Sequence, residues 1–258
     1  LKVLLTNDDG FHAQGLAALC ARGVELGHTV YVAAPDRERS ACGHSITLHQ
    51  PLMVEPVNID GLPCPGFKIS GTPADCVKLA VQNLIPDRVD LVLSGINHGP
   101  NLGTDVFYSG TVSGAIEGTI LGLAAIAVSY ADFDSTDYSF AARVAWEVAE
   151  FVHREGLPQD TLLNINVPPI AEDQTGGLAI TRLGKRQYRN YYEVREGRGG
   201  KKYYWLRGEV LELEGQNNTD IEAVSRDRVA VTAIHLDMTA PPLDNDLVVA
   251  IEGLKIRS

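Results

Sequence analysis

Asp8 and Asp9 stand side by side in Leu4-Leu-Thr-Asn-Asp-Asp-Gly10, directly after a strand-length apolar run, Val3 to Leu5. A buried strand that ends this way delivers two like charges to its own C-terminal edge. Adjacent ionised carboxylates repel and raise each other's pKa, and a divalent cation is the commonest means of keeping both deprotonated at neutral pH. The same residues also read as an Asp-Asp-Gly turn capping the helix that follows. This stretch alone leaves both readings open.

Three further polar clusters bear on the choice: Ser40 to Ser45, Ser94 to Asn101, and Ser109-Gly110-Thr111. Carboxylates, hydroxyls and amides suit a hard ion such as Mg²⁺, Mn²⁺ or Ca²⁺ rather than zinc. The glycine-rich entry to a helix near Thr111 offers free amides at a positive dipole end, a ready phosphate site. A metal beside an anion pocket means phosphoryl chemistry, in which the ion polarises the phosphoryl group and lowers the pKa of a bound water. Taken singly, Asn97 and Asn101 read as turn residues, Ser40 and Ser45 as caps, and His98 as a solvated bystander or an acid. Competing fingerprints are missing: no G-x-G-x-x-G follows the first strand, and there is no G-K-[ST] or H-E-x-x-H.

The elements that must position these clusters follow from periodicity and punctuation. After the first strand, the spacing predicts a helix over Gln14 to Leu26 and a strand over Thr29 to Ala34. Runs at Ile46–Leu48, Leu52–Val57 and Phe67–Ser70 predict a small antiparallel excursion. Thr72-Pro73-Ala-Asp75 is a strong helix start, and that helix runs to about Ile85. Then come a strand at Val89–Ser94, a helix at Thr111–Leu121, a strand at Ala125–Ser129, a helix at Ser139–His153 and a strand at Leu162–Val167. The alternation predicts a three-layer, doubly wound, mainly parallel α/β sheet of Rossmann-like type. Ligands of such sheets bind outside the carboxyl ends of the strands, which is where all four clusters fall.

The α/β core is expected over 1–169, with contributions from about 219–240, and 170–258 form an extension. Within it, 182–207 holds nine basic residues among Tyr188, Tyr191, Tyr192, Tyr203, Tyr204 and Trp205, and predicts a protruding β-hairpin. A capping box at Thr219-Asp-Ile-Glu222 starts a short helix, Arg228–His235 alternates as a strand, and Leu247–Ile256 reads equally as helix or strand. Tyrosines among arginines favour an oligomerisation arm over a surface for single-stranded nucleic acid.

A net charge of -11 argues against general nucleic-acid or anionic-membrane binding and obliges an anionic substrate to meet a local cation. The four cysteines form no C-x-x-C pair, so reduced, mostly buried thiols in a cytosolic protein are expected. No leader pattern and no bilayer-length apolar run is seen.

Taken together, Leu4 to Gly10, Ala34-Pro-Asp-Arg37 with Ser40, Gly71-Thr-Pro-Ala-Asp-Cys76, Ser94-Gly-Ile-Asn97-His-Gly-Pro-Asn101-Leu-Gly103 and Tyr108-Ser-Gly-Thr-Val-Ser113 resemble the SurE family of stationary-phase survival proteins. The resemblance covers nearly the whole chain. It implies a cytoplasmic, metal-dependent phosphatase of nucleoside 5′- and 3′-monophosphates, some members also acting on polyphosphate. It places one divalent ion, Mg²⁺ or Mn²⁺ with Ca²⁺ able to occupy the site, on Asp8, Asp9, Ser40 and Asn97. Asp8 and Asp9 are then the catalytic pair, and Ser109, Gly110 and Thr111, with Asn97 and Asn101, face the substrate phosphate. It also implies a homodimer or homotetramer built by exchange of the hairpin and C-terminal segment. Gly114 stands where alanine is more usual, read here as added flexibility at the helix entry. The alternative is a metal-binding regulator or single-strand binder without turnover.

Overall fold

The computed structural model describes residues 1–59, 61–134, 136–211, 217–240, 244–252 and 254. In chain order the elements are β1 (Lys2–Thr6), α1 (Gln14–Glu25), β2 (Thr29–Pro35), β3 (Val54–Asn58), β4 (Pro65–Ile69), α2 (Pro73–Leu79), β5 (Leu91–His98), α3 (Gly110–Ile120), β6 (Ala124–Tyr130), α4 (Ser139–Glu155), β7 (Thr161–Val167), β8 (Leu178–Thr181), β9 (Gln187–Glu196), β10 (Lys202–Leu211), α5 (Asp220–Ser225), β11 (Val229–His235) and α6 (Asn245–Glu252). Nine strands form one sheet in the order β3-β4-β2-β1-β5-β6-β7-β11-β8, and β9 and β10 pair apart from it.

Strands β4, β2, β1, β5, β6 and β7 run parallel, and the central β2, β1 and β6 are mainly apolar runs because both faces are covered. Val3 and Leu5 turn to one face, where α1 and α4 close the larger core around Leu16, Leu19 and Trp146. Leu4 turns to the other, under α2 and α3 with Val77, Val112 and Ala115. These are the three layers the alternation predicts. Burying each large aliphatic side chain in either core contributes about 1.5–3 kcal/mol. Trp146 also donates its indole N–H to the carbonyl of Leu19, 2.9 Å away, joining α4 to α1.

Several expectations change in detail. Strand β3 is antiparallel to β4, but β4 pairs in parallel with β2, so the excursion widens the main sheet. Ile46–Leu48 is not a strand: the Thr47 amide and hydroxyl bond the Asp75 carboxylate at 2.9 and 2.6 Å instead of a ladder. The Thr72–Asp75 capping box is present, and α2 passes into a π-helical turn over Ala80–Leu84 before Ile85. Thr219 caps α5, while Glu222 reaches the amide of Asn218 at 2.6 Å. Leu247 and Ile251 lie in a helix; 253, 255 and 256 of the predicted Leu247–Ile256 segment lie outside the described residues. The hairpin strands pair from Lys202↔Glu196 to Leu211↔Gln187, around a turn at Arg198–Gly200.

The position of the site follows from strand order. From β1 the chain steps to β2 and β4 on one side, then returns to β5, β6 and β7 on the other. The order therefore reverses between β1 and β5, and a crevice opens beyond their carboxyl ends.

Candidate active site

Asp8 is delivered to that crevice by β1 and is 5% exposed. It caps no part of α1, whose N-cap is Ala13 with no side-chain bond. Instead the Asp8 carboxylate accepts from the hydroxyl of Thr111 and from its amide, and so caps α3, a helix a hundred residues further along. The acidic turn therefore does not cap the helix that follows it, and the Asp8 carboxylate bonds the first turn of α3 instead.

Thr111 Oγ also lies 3.1 Å from Asn97 Oδ1. Asn97, near the end of β5, donates its side-chain amide to the Gly99 carbonyl at 2.7 Å, which turns its oxygen toward Thr111. Three oxygens, from Asp8, Thr111 and Asn97, therefore converge with a single hydroxyl proton among them. Asp9, half-buried, accepts the His98 amide at 3.1 Å. Burial pushes the Asp8 carboxyl up to about 6; the Thr111 bond opposes this and the neighbouring Asp9 charge adds to it. Burial also raises Asp9, against the His98 amide and the nearby His98 ring. An electron-rich, proton-poor cluster with two elevated carboxylates is the environment that a hard cation neutralises.

The backbone brings α3 unusually close. A Cβ on Gly110 would stand 2.6 Å from Asp8 Cβ, one on Gly114 2.6 Å from Ser94 Oγ, and one on Gly118 2.9 Å from Val92 Cγ2. Gly114 therefore serves close packing of α3 on the sheet, and the flexibility reading is replaced. Ser109 caps α3 by accepting the Val112 amide at 3.0 Å, so its hydroxyl is engaged in the cap.

Ser40 lies on the exposed loop after β2, with its hydroxyl on Glu38 Oε1 at 2.5 Å. That loop is pinned beside the cluster by the Arg39 amide on the Asp8 carbonyl at 2.7 Å and the Gly43 amide on the Tyr108 carbonyl at 3.0 Å. Asn101 is buried and turned the other way. Its side-chain amide donates to Ser129 Oγ at 2.8 Å, its own amide donates to Asn166 Oδ1, and its carbonyl accepts from Asn164 and Asn166. The structure thus joins Asp8, Asn97, Gly110 and Thr111 directly, sets Asp9 against His98, and commits the amide of Asn101 to shaping the loop. His98 is exposed, with Nδ1 on the Tyr138 hydroxyl at 2.9 Å.

Sequence reasoning missed four supports. Asn7 closes the acidic turn by donating to the Gly10 carbonyl at 3.0 Å. Glu117, 2% exposed, binds His44 at 3.0 Å and Lys78 at 2.8 Å, and so anchors the Ser40 loop to α3. Asp75 holds the same loop through Thr47. Asn164 and Asn166 interrupt the apolar β7 at period two, the one signal of this group visible in sequence.

Fold and site together define an α/β protein with an oxygen-donor cluster at a topological switch point, set against a helix N-terminus. A family model described as "Survival protein SurE" matches residues 3–190. The 5′-nucleotidase SurE of Syntrophomonas wolfei is 49% identical over 242 residues, covering 93% of this chain and 90% of that protein. The 5′-nucleotidase SurE of Natranaerobius thermophilus is 47% identical over 252 residues, covering 96% and 97%. The crystal structure of the SurE protein from Aquifex aeolicus superposes with a TM-score of 0.79 at 39% identity, covering 97% of this chain and 98% of that one. The chain belongs to the SurE family, and with it to the enzymes: its curated relatives carry the name of a phosphoric monoester hydrolase. Among the described residues no helix is long and apolar enough to cross a membrane.

Proposed function

We propose that this chain hydrolyses nucleoside 5′-monophosphates to nucleoside and phosphate, with 3′-monophosphates and polyphosphate as further substrates, and that it depends on a divalent cation. The observation that carries this reading is the convergence of the Asp8, Thr111 and Asn97 oxygens at the mouth of the β1–β5 crevice, against the N-terminus of α3. Asp8, Asp9, Ser40 and Asn97 would hold the ion. When bound, Mg²⁺ or Mn²⁺ supplies positive charge for the phosphoryl oxygens and acidity for the attacking water.

The chain's own residues do the rest. The start of α3 orients the phosphate through its dipole and amides, with Gly110 letting the helix start approach the Asp8 side chain that a Cβ would strike. Thr111 fixes the Asp8 carboxylate in one orientation. The loop carrying Ser40, held by Asp75 and Glu117, closes the crevice on the β2 side. The exposed aromatic hairpin supports a homodimer or homotetramer, the net charge of -11 argues against nucleic-acid binding, and the free cysteines fit a cytoplasmic enzyme.

Phosphate release from a panel of 5′- and 3′-nucleotides, measured with Mn²⁺ and with chelator, tests the proposal. Turnover is expected with the metal, loss with chelator, and loss in Asp9→Asn. Turnover that survives chelation undiminished would overturn the metal reading, and stoichiometric labelling of an aspartate without release would identify a regulator.

A further inference from the structure

The sulfur atoms of Cys20 and Cys64 are 2.7 Å apart across 44 residues, with the Cys20 thiol donating to Cys64. Cys20 sits on the buried face of α1, Cys64 in the segment entering β4, and their exposures are 0% and 1%. Bond formation between them requires the sulfurs to close to about 2.05 Å, a short step from contact. Among the described residues neither Cys42, on the Ser40 loop, nor Cys76, on α2, has a cysteine partner.

We propose that Cys20 and Cys64 form a covalent modification site, an intramolecular disulfide that ties α1 to the segment entering β4. Hydrogen peroxide is the oxidant. The Cys64 sulfur attacks the peroxide O–O bond, giving a sulfenic acid and one water. The Cys20 sulfur then attacks that sulfenic sulfur, forming the S–S bond and expelling a second water, so two thiols lose two electrons and two protons. Cys64 is the attacking sulfur because the Cys20 S–H points at it and supports its thiolate, while the same contact opposes ionisation of Cys20. Burial raises both thiols, so the reaction is slow and calls for excess peroxide.

The bond lies behind the acidic turn. Phe11, two residues past Asp9, packs on Gly66, two residues past Cys64, where a Cβ would stand 2.7 Å from the ring. Oxidation therefore joins the segments that back the turn without touching the crevice, and is expected to stabilise the fold while leaving turnover unchanged.

The test oxidises the full chain with excess hydrogen peroxide, alkylates it under denaturing conditions and maps the peptides. One Cys20–Cys64 cross-linked peptide is expected, with Cys42 and Cys76 alkylated, and a thermal midpoint raised by about 5 °C or more that reverts with dithiothreitol. Cys20→Ser and Cys64→Ser should each abolish the oxidant-dependent rise, and Cys42→Ser should keep it. Four alkylated cysteines after oxidation, a different pairing, sulfinic acid at Cys64, or a cross-link with an unchanged midpoint would each overturn the proposal. Should Cys20→Ser fail to fold, oxidised and reduced forms of the unaltered chain decide the matter.

Discussion

The mouth of the β1–β5 crevice and the β9–β10 hairpin solve opposite problems. At the crevice, buried polar groups find partners within the chain, Asp8 in Thr111, Asn101 in Ser129 and Asn166, Glu117 in His44 and Lys78, while the Thr6 and Ser94 hydroxyls and the Oδ1 atoms of Asn7 and Asn164 have none among the described residues. On the hairpin, apolar groups stand in solvent, with Tyr192 63%, Trp205 52% and Leu206 60% exposed. Buried hydrogen bonds fix geometry within the chain, whereas large apolar side chains left in solvent are the kind of surface a partner covers. The two regions meet at the base of the hairpin. There Asp105 takes Arg186 at 2.8 Å and the Tyr188 hydroxyl at 2.6 Å, and Asp220 takes the amides of Gly103 and Gly184 at 2.7 and 2.8 Å.

If chemistry resides wholly at the crevice, Asp8→Asn should lower phosphate release about 10³-fold or more. The same change should raise the stability of chelator-treated protein, because a carboxyl near 6 when folded and 3.8 otherwise opposes folding once ionised. The native state binds the extra proton between those values, so stability falls as pH rises through that window and the cost is complete above it. Calorimetry at pH 7.5 should therefore show a gain of about 3 kcal/mol for Asp8→Asn that is largely lost near pH 4. Gly110→Ala should cut turnover about 10²-fold with the fold retained, since its methyl strikes Asp8. Unchanged kinetics there would separate α3 from the chemistry.

At the junction, Asp220→Ala leaves two or more backbone amides without their acceptor and should cost about 2–4 kcal/mol in urea unfolding. Least disturbing to turnover should be Trp205→Ser with Leu206→Ser: rates within about twofold, but a smaller assembly by light scattering. A large loss of activity in that variant would break the separation between the regions.

The parallel strands were legible because a two-faced burial leaves continuous apolar runs, and the Thr72 cap because its chemistry is local. The crevice was legible in its clusters for the same reason: topology places strand ends together. What sequence does not carry is direction. Asn101, which the resemblance sets facing the substrate phosphate, has its backbone held by Asn164 and Asn166 on β7 and its side-chain amide on Ser129. Asp8 reads as the cap of its neighbour until α3 arrives from a hundred residues away. β8 escaped because four residues whose exposure alternates only weakly show no period. Glu117 escaped because nothing local marks a glutamate as buried between a histidine and a lysine.

The three glycines of α3 that face the sheet, spaced four apart, also bear on how this enzyme can change. A methyl at Gly110 meets the Asp8 side chain and one at Gly118 the Val92 side chain, so these two positions hold α3 close to the sheet only as glycine, whereas at Gly114 the neighbours are the Ser94 and Thr6 side chains, whose ends can turn aside. The exposed loop that carries Ser40 is the part left open to change, because its own side chains can be exchanged while Asp75 and Glu117, buried on α2 and α3, keep it anchored.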